Sequence, residues 1–466
     1  MSYEPDRAEG SDDLPEELAR ILRELTGGAD LPPQMVEQLK AMGLADADPA
    51  VVSAMAQQVK AMFAPGPVTK GVDVASATDV ARQIVAGKGG DAAMGSSEHA
   101  LAEQATRIAG LWLDQATSLE APSLTGAALS RAEWVEATLP TWADLVDPVA
   151  EGLSAAIRDS IGTQMQRMGD SGADLAALGL PPGMNLDAIS NQMAPMVQRM
   201  SSSLITAQLA QAVGALAGET VTGTEVGIPI VQGRVALLPA NIALFADGLG
   251  VDLDEVWLHL ALREAARMRL FTAVPWLGPQ ILATVQEYSR GMAIDTDAID
   301  AAVSQINPSD PEALQEALTG SFFQPQPSAI QQAALTRLET WLALIEGWVD
   351  HVAARASADH LPNTAAMAET IRRRRATGGP AEKTFAGLVG LELRPRRLRD
   401  AANLWAALED AHGASARDAA WDHPDVAPRA EDLDDPLGYV ERFGGESEGT
   451  DLDAELDALL RDESGE

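Results

Sequence analysis

Two arginines stand one helical turn apart in the segment LALREAARMRLF, residues 260–271. They are Arg263 and Arg267, and Glu264 directly follows the first of them. With histidine at both arginine positions, the segment would read His-Glu-x-x-His. That pattern lets one helix present two imidazoles to a zinc ion and a glutamate to the metal-bound water. The spacing therefore points to metal-assisted hydrolysis, for which two of the residue types are wrong.

Acidic residues with a complementary spacing occur later in the chain, in the segment IEGWVDHV. Glu346 and Asp350 lie one helical turn apart there. In zinc sites that combine two histidines with a glutamate, the glutamate comes from another part of the chain. In the glutamate-type sites it is the first residue of Glu-x-x-x-Asp on a later helix, the position that Glu346 would occupy.

Arginine cannot replace histidine as a metal ligand. A guanidinium has a pKa above about 12 and offers only hydrogen-bond donors, so it has no lone pair for zinc. His259 lies one turn before Arg263, but this pair does not recreate two imidazoles one turn apart. The six histidines, at positions 99, 259, 351, 360, 412 and 423, include no other candidate pair of that spacing. We therefore expect no metal ligands and no zinc cofactor.

The two arginines allow two interpretations. In the first, Arg263 and Arg267 pair with Glu346 and Asp350, and the guanidinium groups replace zinc as the local cation. Arginine suits this because its planar fork matches a carboxylate, and buried charges need partners. In the second, both arginines lie on a solvated face and Glu264 is a surface partner.

The composition predicts a mainly α-helical fold. Hydrophobic residues make up 46% of the chain and aromatic residues only 4%, with abundant alanine and few β-branched runs. Residues 222–246 form the one strand-like region, in which Gly233 separates two apolar runs and suggests a short hairpin or a small sheet before the helix at 252–271. A helix over 252–271 can be capped by Asp252 or Asp254, and a long helix is predicted over 328–356.

Linker and charge patterns divide the chain into three parts. We predict an acidic leader with N-terminal helices at 1–75, a helical domain at 76–443, and an acidic tail at 444–466. The tail has nine acidic residues and one arginine, a composition typical of disorder.

Charge and residue usage also bear on partners and location. The formal net charge is −36, which disfavours general binding to nucleic acid or anionic membranes. The chain has no cysteine, an acidic N-terminus unlike a signal peptide, and no uncharged apolar run of about 20 residues. We expect a cytoplasmic, soluble protein.

Positive charge is concentrated in residues 372–399, with nine basic residues among 28. This segment could bind a phosphate-bearing ligand or form a local nucleic-acid patch. Alternatively, its arginines pair internally with the acidic remainder of the chain.

Several blocks of sequence, in order, resemble one known family. They include VALLPANIALF, LALREAARMRLF, VPWLGPQILATVQEYSRG, IEGWVDHV and WDHPDVAPRAEDLDDP, and the resemblance covers roughly residues 95–440. The family is a bacterial, largely actinobacterial group of zincin-like hydrolases, often labelled zinc-dependent metalloproteases. The resemblance implies a helical, metallopeptidase-like fold with zinc as the family cofactor.

The same resemblance implies a role for each matched position. Arg263 and Arg267 stand where the two histidine ligands would be, and Glu264 stands at the general-base position. Glu346 matches the third ligand, and Asp350 matches the acidic residue that supports the site. Both histidines of the family motif are absent here.

These observations lead to a preferred hypothesis and two alternatives. The preferred hypothesis is a metallopeptidase-like protein that does not catalyse and instead binds or scaffolds an unknown protein or peptide. One alternative is an active hydrolase that works through Glu264 and Asp350 in an unconventional site. The other is an interaction protein that uses the basic segment 372–399 and the acidic tail.

Overall fold

Helices make up most of the residues that the structure describes. The structure is a computed structural model, and it describes residues 71–87, 90–170, 186–290, 328–376 and 397–444. Within these ranges the helices are α1 Val74–Gly87, α2 Ser96–Ala116, α3 Arg131–Asp170, α4 Leu186–Ala217, α5 Pro239–Ala246, α6 Leu253–Ala273, α7 Leu277–Arg290, α8 Ala329–Ser357, α9 Thr364–Ala376, α10 Leu398–His412, α11 Ala414–Ala419 and α12 Pro436–Gly444. The mainly α prediction is confirmed.

The described residues contain a single small sheet of two parallel strands. Strand β1 (Thr125–Ala128) pairs with β2 (Arg234–Leu237), and the amide of Leu129 extends the pairing by donating to the Leu237 carbonyl at 2.8 Å. A small sheet before the helix at 252–271 was predicted, and β2 lies there.

The predicted hairpin within residues 222–246 is wrong. The segment before β2 contributes one isolated antiparallel bridge, between Thr222 and Leu237, and the ladder partner of β2 is β1. Strand β1 has the sequence TGAA, which contains only one residue with strong β propensity. Close packing against α2 favours this strand instead. A Cβ at Gly126 would stand 2.2 Å from the Ala102 carbonyl oxygen of α2, so only glycine lets β1 lie this close to the helix.

Helix α6 runs through the interior of the fold. Asp252 caps it by accepting a hydrogen bond from the Asp254 amide at 2.9 Å, as predicted for one of these two residues. Residues 259–270 are all buried, so the helix is enclosed on every side along most of its length. Helices α2 and α8 and strand β2 pack against it. A charged residue in this stretch therefore needs a partner inside the protein.

Helix α8 is the second element that positions the motif residues. Ser328 and Gln331 form a capping box at its start: the Ser328 hydroxyl accepts from the Gln331 amide, and the Gln331 side chain accepts from the Ser328 amide. From this cap the helix continues to Ser357, close to the predicted range of 328–356.

A buried polar network attaches α11 to α8 and α10. Arg417 is fully buried, donates to Asp418 at 2.8 Å, and forms an ion pair with Glu409. Glu409 also contacts Nε2 of His351 at 2.6 Å, and the Trp348 indole donates to Asp418 at 3.0 Å. His351, next to the Glu-x-x-x-Asp motif, therefore belongs to this network.

The predicted terminal regions lie largely outside the described residues. Of the leader at 1–75 the structure describes only residues 71–75, and of the tail at 444–466 only Gly444. The three-part division of the chain stays a prediction. Among the residues described, no helix has the length and apolar character needed to span a membrane.

Candidate functional site

The structure brings the two sequence motifs together where α6 faces α8. Arg263 donates from Nη1 to Oδ1 of Asp350 at 2.6 Å and from Nη2 to Oε2 of Glu346 at 3.1 Å. Only 6% of the Arg263 side chain is exposed. One guanidinium therefore bridges both acidic residues of the Glu-x-x-x-Asp motif.

Arg267 uses the same glutamate from the other side. Its Nε donates to Oε1 of Glu346 at 2.9 Å, and its Nη1 donates to Oε2 of Glu264 at 2.6 Å. Each Glu346 oxygen thus accepts from a different arginine. The ion pairs proposed from the sequence are present, and the alternative of a solvated face is wrong because Arg263 and Arg267 are both buried.

Glu264 is completely buried and closely held by the segment before β2. The Thr222 hydroxyl donates to Oε2 at 2.8 Å, while the amide and hydroxyl of Thr224 donate to Oε1 at 2.8 and 2.9 Å. Gly223 lets this segment close around the carboxylate, since a Cβ there would stand 3.0 Å from Oε1 and 2.8 Å from the Ala236 side chain. Both oxygens of Glu264 are therefore in use.

Burial and charge act in opposite directions on these groups. Burial raises the pKa of Glu264, although Arg267 and the two threonines oppose this shift. Burial by itself would lower the pKa of Arg267, but the charges of Glu346 and Glu264 outweigh it and raise that pKa. Arg267 is therefore a permanent cation inside the protein.

A third arginine, from the basic segment, completes the cluster. Nη1 of Arg372 on α9 donates to Oδ2 of Asp350 at 2.8 Å, so Asp350 lies between two guanidinium groups. The ion cluster then consists of three guanidinium groups (Arg263, Arg267 and Arg372) and three carboxylates (Glu264, Glu346 and Asp350). Its formal charges balance.

Four further arginines of the basic segment also have acidic partners. Their ion pairs are Arg373–Glu369, Arg374–Glu225, Arg397–Asp434 and Arg399–Glu369. Internal pairing is confirmed for these residues. Residues 377–396 of the segment lie outside the described ranges.

His259 lies one turn before Arg263, and a chain of hydroxyl groups fixes its tautomer. The Ser357 hydroxyl donates to the Ala353 carbonyl at 2.7 Å, so it accepts from Thr364 at 2.8 Å. The Thr364 oxygen, 3.1 Å from Nδ1 of His259, must then accept the Nδ1 proton. Nε2 of His259 then carries the lone pair, and it has no hydrogen-bond partner among the residues that the structure describes. The structure thus separates His259 from the ion cluster's hydrogen bonds.

Folding should make the protein sensitive to acid through His259. Burial, helped by the nearby Arg263 charge, lowers the pKa of His259 from 6.5 to about 3. Below pH 6.5 the imidazole gains a proton in the unfolded chain but not in the folded one. The contribution of His259 to the free energy of unfolding is therefore fully present above pH 6.5, and it declines as the pH falls towards 3. Urea unfolding at about pH 7 and about pH 5 should show a loss of about 2 kcal/mol from this residue.

His259→Asn provides the comparison, because asparagine can still donate to Thr364. We expect the free energy of unfolding of this variant to depend less on pH than that of the native chain. His423, whose side chain is 64% exposed, is the matched control, and His423→Asn should keep the native dependence. Equal acid dependence of the native chain and His259→Asn would contradict the assignment.

The residues at the motif positions do not fit the zinc ion that the family resemblance implies. Both oxygens of Glu346 accept hydrogen bonds from guanidinium groups, and these groups lie between the carboxylates of α6 and α8. Guanidinium nitrogen has no lone pair to offer a metal. In the part of the chain that the structure describes, no cluster of three or more His, Cys, Asp or Glu residues could hold a metal ion. The side chains at the motif positions therefore form an ion cluster and not a zinc site.

The fold and the paired motifs define a helical, metallopeptidase-like architecture. The chain belongs to the zincin-like metallopeptidase family, whose profile matches residues 72–440. This confirms the family resemblance over nearly the range expected from the sequence.

Among solved structures, one similar chain is "a putative hydrolase with a novel fold" from Chloroflexus aurantiacus. The TM-score is 0.52 at 16% identity, with coverage of 80% of this chain and 99% of that chain. At this identity the similarity concerns the fold alone. No curated protein matches the sequence.

Sequence reasoning missed two threonines that contact the ion cluster and the membership of Arg372 in it. Thr222 and Thr224 hold Glu264, and Arg372 holds Asp350. The Thr-Gly-Thr segment directly before the strand-like region was the only available signal for the first two. Arg372 was identified as part of a charged segment, but its contact with the motif could not be inferred from spacing.

Proposed function

We propose that this protein is a non-catalytic member of its family that binds or scaffolds a protein or peptide partner. A pair of guanidinium groups takes the structural place of the metal ion. The observation that supports this most is the bridging of Arg263 and Arg267 by the two oxygens of Glu346. Both oxygens of this carboxylate face guanidinium groups, whose positive charges would repel a metal ion at the same position.

The state of Glu264 also favours a non-catalytic role. A general base must reach the water or substrate from which it takes a proton. Glu264 is 0% exposed, and its oxygens accept from Arg267, Thr222 and Thr224. Asp350 is similarly occupied by Arg263 and Arg372. The alternative of a hydrolase that works through Glu264 and Asp350 therefore has less support.

The pairing of the basic segment weighs against its use as a binding surface. Arg372 and Arg374 are engaged with acidic residues of the same chain, so binding an external anion would require breaking those contacts. We also propose a bacterial, cytoplasmic protein. The family resemblance supports the first, and the absence of cysteine supports the second.

Metal analysis of the native chain tests the proposed function. After dialysis against a chelator and then against zinc, we expect the purified protein to retain clearly less than one zinc per chain. Peptide hydrolysis, assayed with a mixture of unstructured peptides, should not exceed the background of a mock preparation. One tightly bound zinc per chain, together with hydrolysis that a chelator removes, would overturn the proposal.

A further inference from the structure

The connection between α5 and α6 carries exposed apolar side chains. Leu244, near the end of α5, is 65% exposed, and Leu253, the first residue of α6, is 45% exposed. Between them Gly248 and Gly250 have positive φ angles of 77° and 67°, which allow the chain to turn sharply. Helices α5 and α6 also pack against each other. Both leucines therefore lie at one corner of the fold.

Further apolar side chains surround this corner. Each is partly exposed, and each packs on one small core that includes Ile242 of α5 and Trp257 of α6. They are Phe245, Ala246, Leu249, Val251 and Leu258. Because they share one core, their exposed parts form the surface above it, here called the α5–α6 patch together with Leu244 and Leu253. A continuous apolar surface of this kind commonly marks an interaction site.

Negative charge borders the α5–α6 patch. Residues 244–258 contain neither lysine nor arginine but four acidic residues, Asp247, Asp252, Asp254 and Glu255. Asp252 caps α6, and Glu255 accepts hydrogen bonds from Asn363. Asp247 and Asp254 are exposed, and within the described part of the chain neither carboxylate has an ion pair or a hydrogen bond. Two carboxylates beside the patch are therefore available to a partner.

An arginine of the same chain already lies over part of the patch. The Arg374 guanidinium of α9 is 5.7 Å from the centre of the Phe245 ring, in a cation–π contact. Arg374 also forms an ion pair with Glu225. A basic side chain can thus cover this apolar surface while a neighbouring carboxylate balances its charge.

We propose that the α5–α6 patch binds an amphipathic helix of a partner protein, with an apolar face bordered by lysine or arginine. The proposal rests on the proposed function, the binding of a protein or peptide partner, and it names the chemistry of that partner. Apolar side chains of the helix would cover Leu244 and Leu253, and its basic side chains would pair with Asp247 and Asp254.

The form of the patch decides between kinds of partner. Helices and a turn build it, so its residues offer no strand edge to an extended peptide, whereas a helix satisfies its own backbone hydrogen bonds. A second copy of this chain fits less well, because it would bring the same acidic border against the first and the two would repel each other.

Fluorescence anisotropy with a labelled peptide and the full-length chain tests the proposal. The probe is a leucine–lysine peptide of about 14 residues with its leucines on one helix face, used at a concentration at which it is monomeric. The reference peptide has the same composition, with its leucines spread around the helix. At physiological salt we expect the probe to bind at least about tenfold more tightly. Since both peptides carry the same charge, general attraction to an acidic protein cannot produce this difference.

Replacing the exposed leucines tests the apolar part of the patch. Leu244→Gln with Leu253→Gln should weaken binding of the probe by at least about tenfold. The thermal midpoint should stay close to native, because both side chains already contact solvent. Ile330→Gln with Leu437→Gln is the matched control, at side chains 61% and 68% exposed on α8 and α12, and it should keep the native affinity.

Replacing the acidic residues tests the charged border. Asp247→Asn with Asp254→Asn should weaken binding by about threefold to tenfold, and by more at low salt. Asp422→Asn with Asp425→Asn removes two exposed charges elsewhere and should keep the native affinity.

Three results would overturn the proposal. They are equal affinity for the two peptides, native affinity in the folded Leu244→Gln, Leu253→Gln variant, and a dimer of the native chain that this variant abolishes, which would make a second copy the occupant. The zinc content and hydrolysis of all these variants should equal those of the native chain, because no substituted side chain contacts the ion cluster. Failure here therefore differs from failure of the proposed function, which the metal analysis would reveal.

Discussion

Replacing Glu346 by leucine should lower the free energy of unfolding by about 3–5 kcal/mol. Glu346 neutralises Arg263 and Arg267 at once, and all three side chains are at most 6% exposed. Leucine has a similar volume, so the loss would come mainly from two cations left with fewer partners inside the protein. Arg263 would keep Asp350, and Arg267 would keep Glu264. Urea unfolding at neutral pH measures the change.

An exposed glutamate in an ion pair is the matched control. Glu287 pairs with Arg337 on the surface, where both side chains are nearly half exposed. Glu287→Leu should change stability by no more than about 1 kcal/mol. A loss in Glu346→Leu no larger than in Glu287→Leu would contradict a neutralising role for Glu346.

A compensating variant separates charge from packing. Converting Arg263 to methionine in the Glu346→Leu background should recover part of the lost stability, because Arg267 keeps Glu264, Arg372 keeps Asp350, and the remaining charges balance. Buried ionic groups can often be replaced together by apolar residues of similar volume at little cost, whereas removing one member is strongly destabilising. No recovery would mean that the loss arises from packing alone.

The motif pairing could be predicted because it depends on local spacing. Residues four apart share a helix face, so Arg263 with Arg267, and Glu346 with Asp350, each define a surface from sequence alone. Complementary charge then indicates that the two surfaces meet. The Asp252 cap was predictable for the same reason, since a cap depends on neighbouring backbone amides.

The remaining contacts depend on the fold as a whole. Thr222 and Thr224 reach Glu264 from about 40 residues away, only because β2 places their segment against α6. Strand β1 pairs with a strand more than a hundred residues later, and a glycine that packs against α2 selects it. Such contacts have no periodic pattern along the chain, so hydrophobic period and propensity could not indicate them.

The double variant Arg263→His with Arg267→His should convert the ion cluster into a zinc site. It restores two imidazoles one turn apart on α6, and Glu346 already stands opposite them, within 3.1 Å of both present guanidinium groups. Without metal, three acidic side chains would lack their two main cations, so we expect the metal-free variant to be less stable than the native chain. Zinc should restore stability, by about 4 kcal/mol at a free concentration a thousandfold above its Kd.

Cobalt gives a direct readout of this variant, because tetrahedral Co²⁺ absorbs visible light whereas zinc does not. We expect one Co²⁺ per chain in the double variant and none in the native protein, with zinc displacing the cobalt signal. Adding Glu346→Gln should weaken metal affinity, while Arg263→Met with Arg267→Met should bind no metal because thioethers are poor zinc ligands. A folded double variant that takes up no metal would show that Arg263 and Arg267 do not occupy positions from which histidine can bind zinc. The arginines would then be part of an ordinary buried ion network and not a replacement for a metal ion.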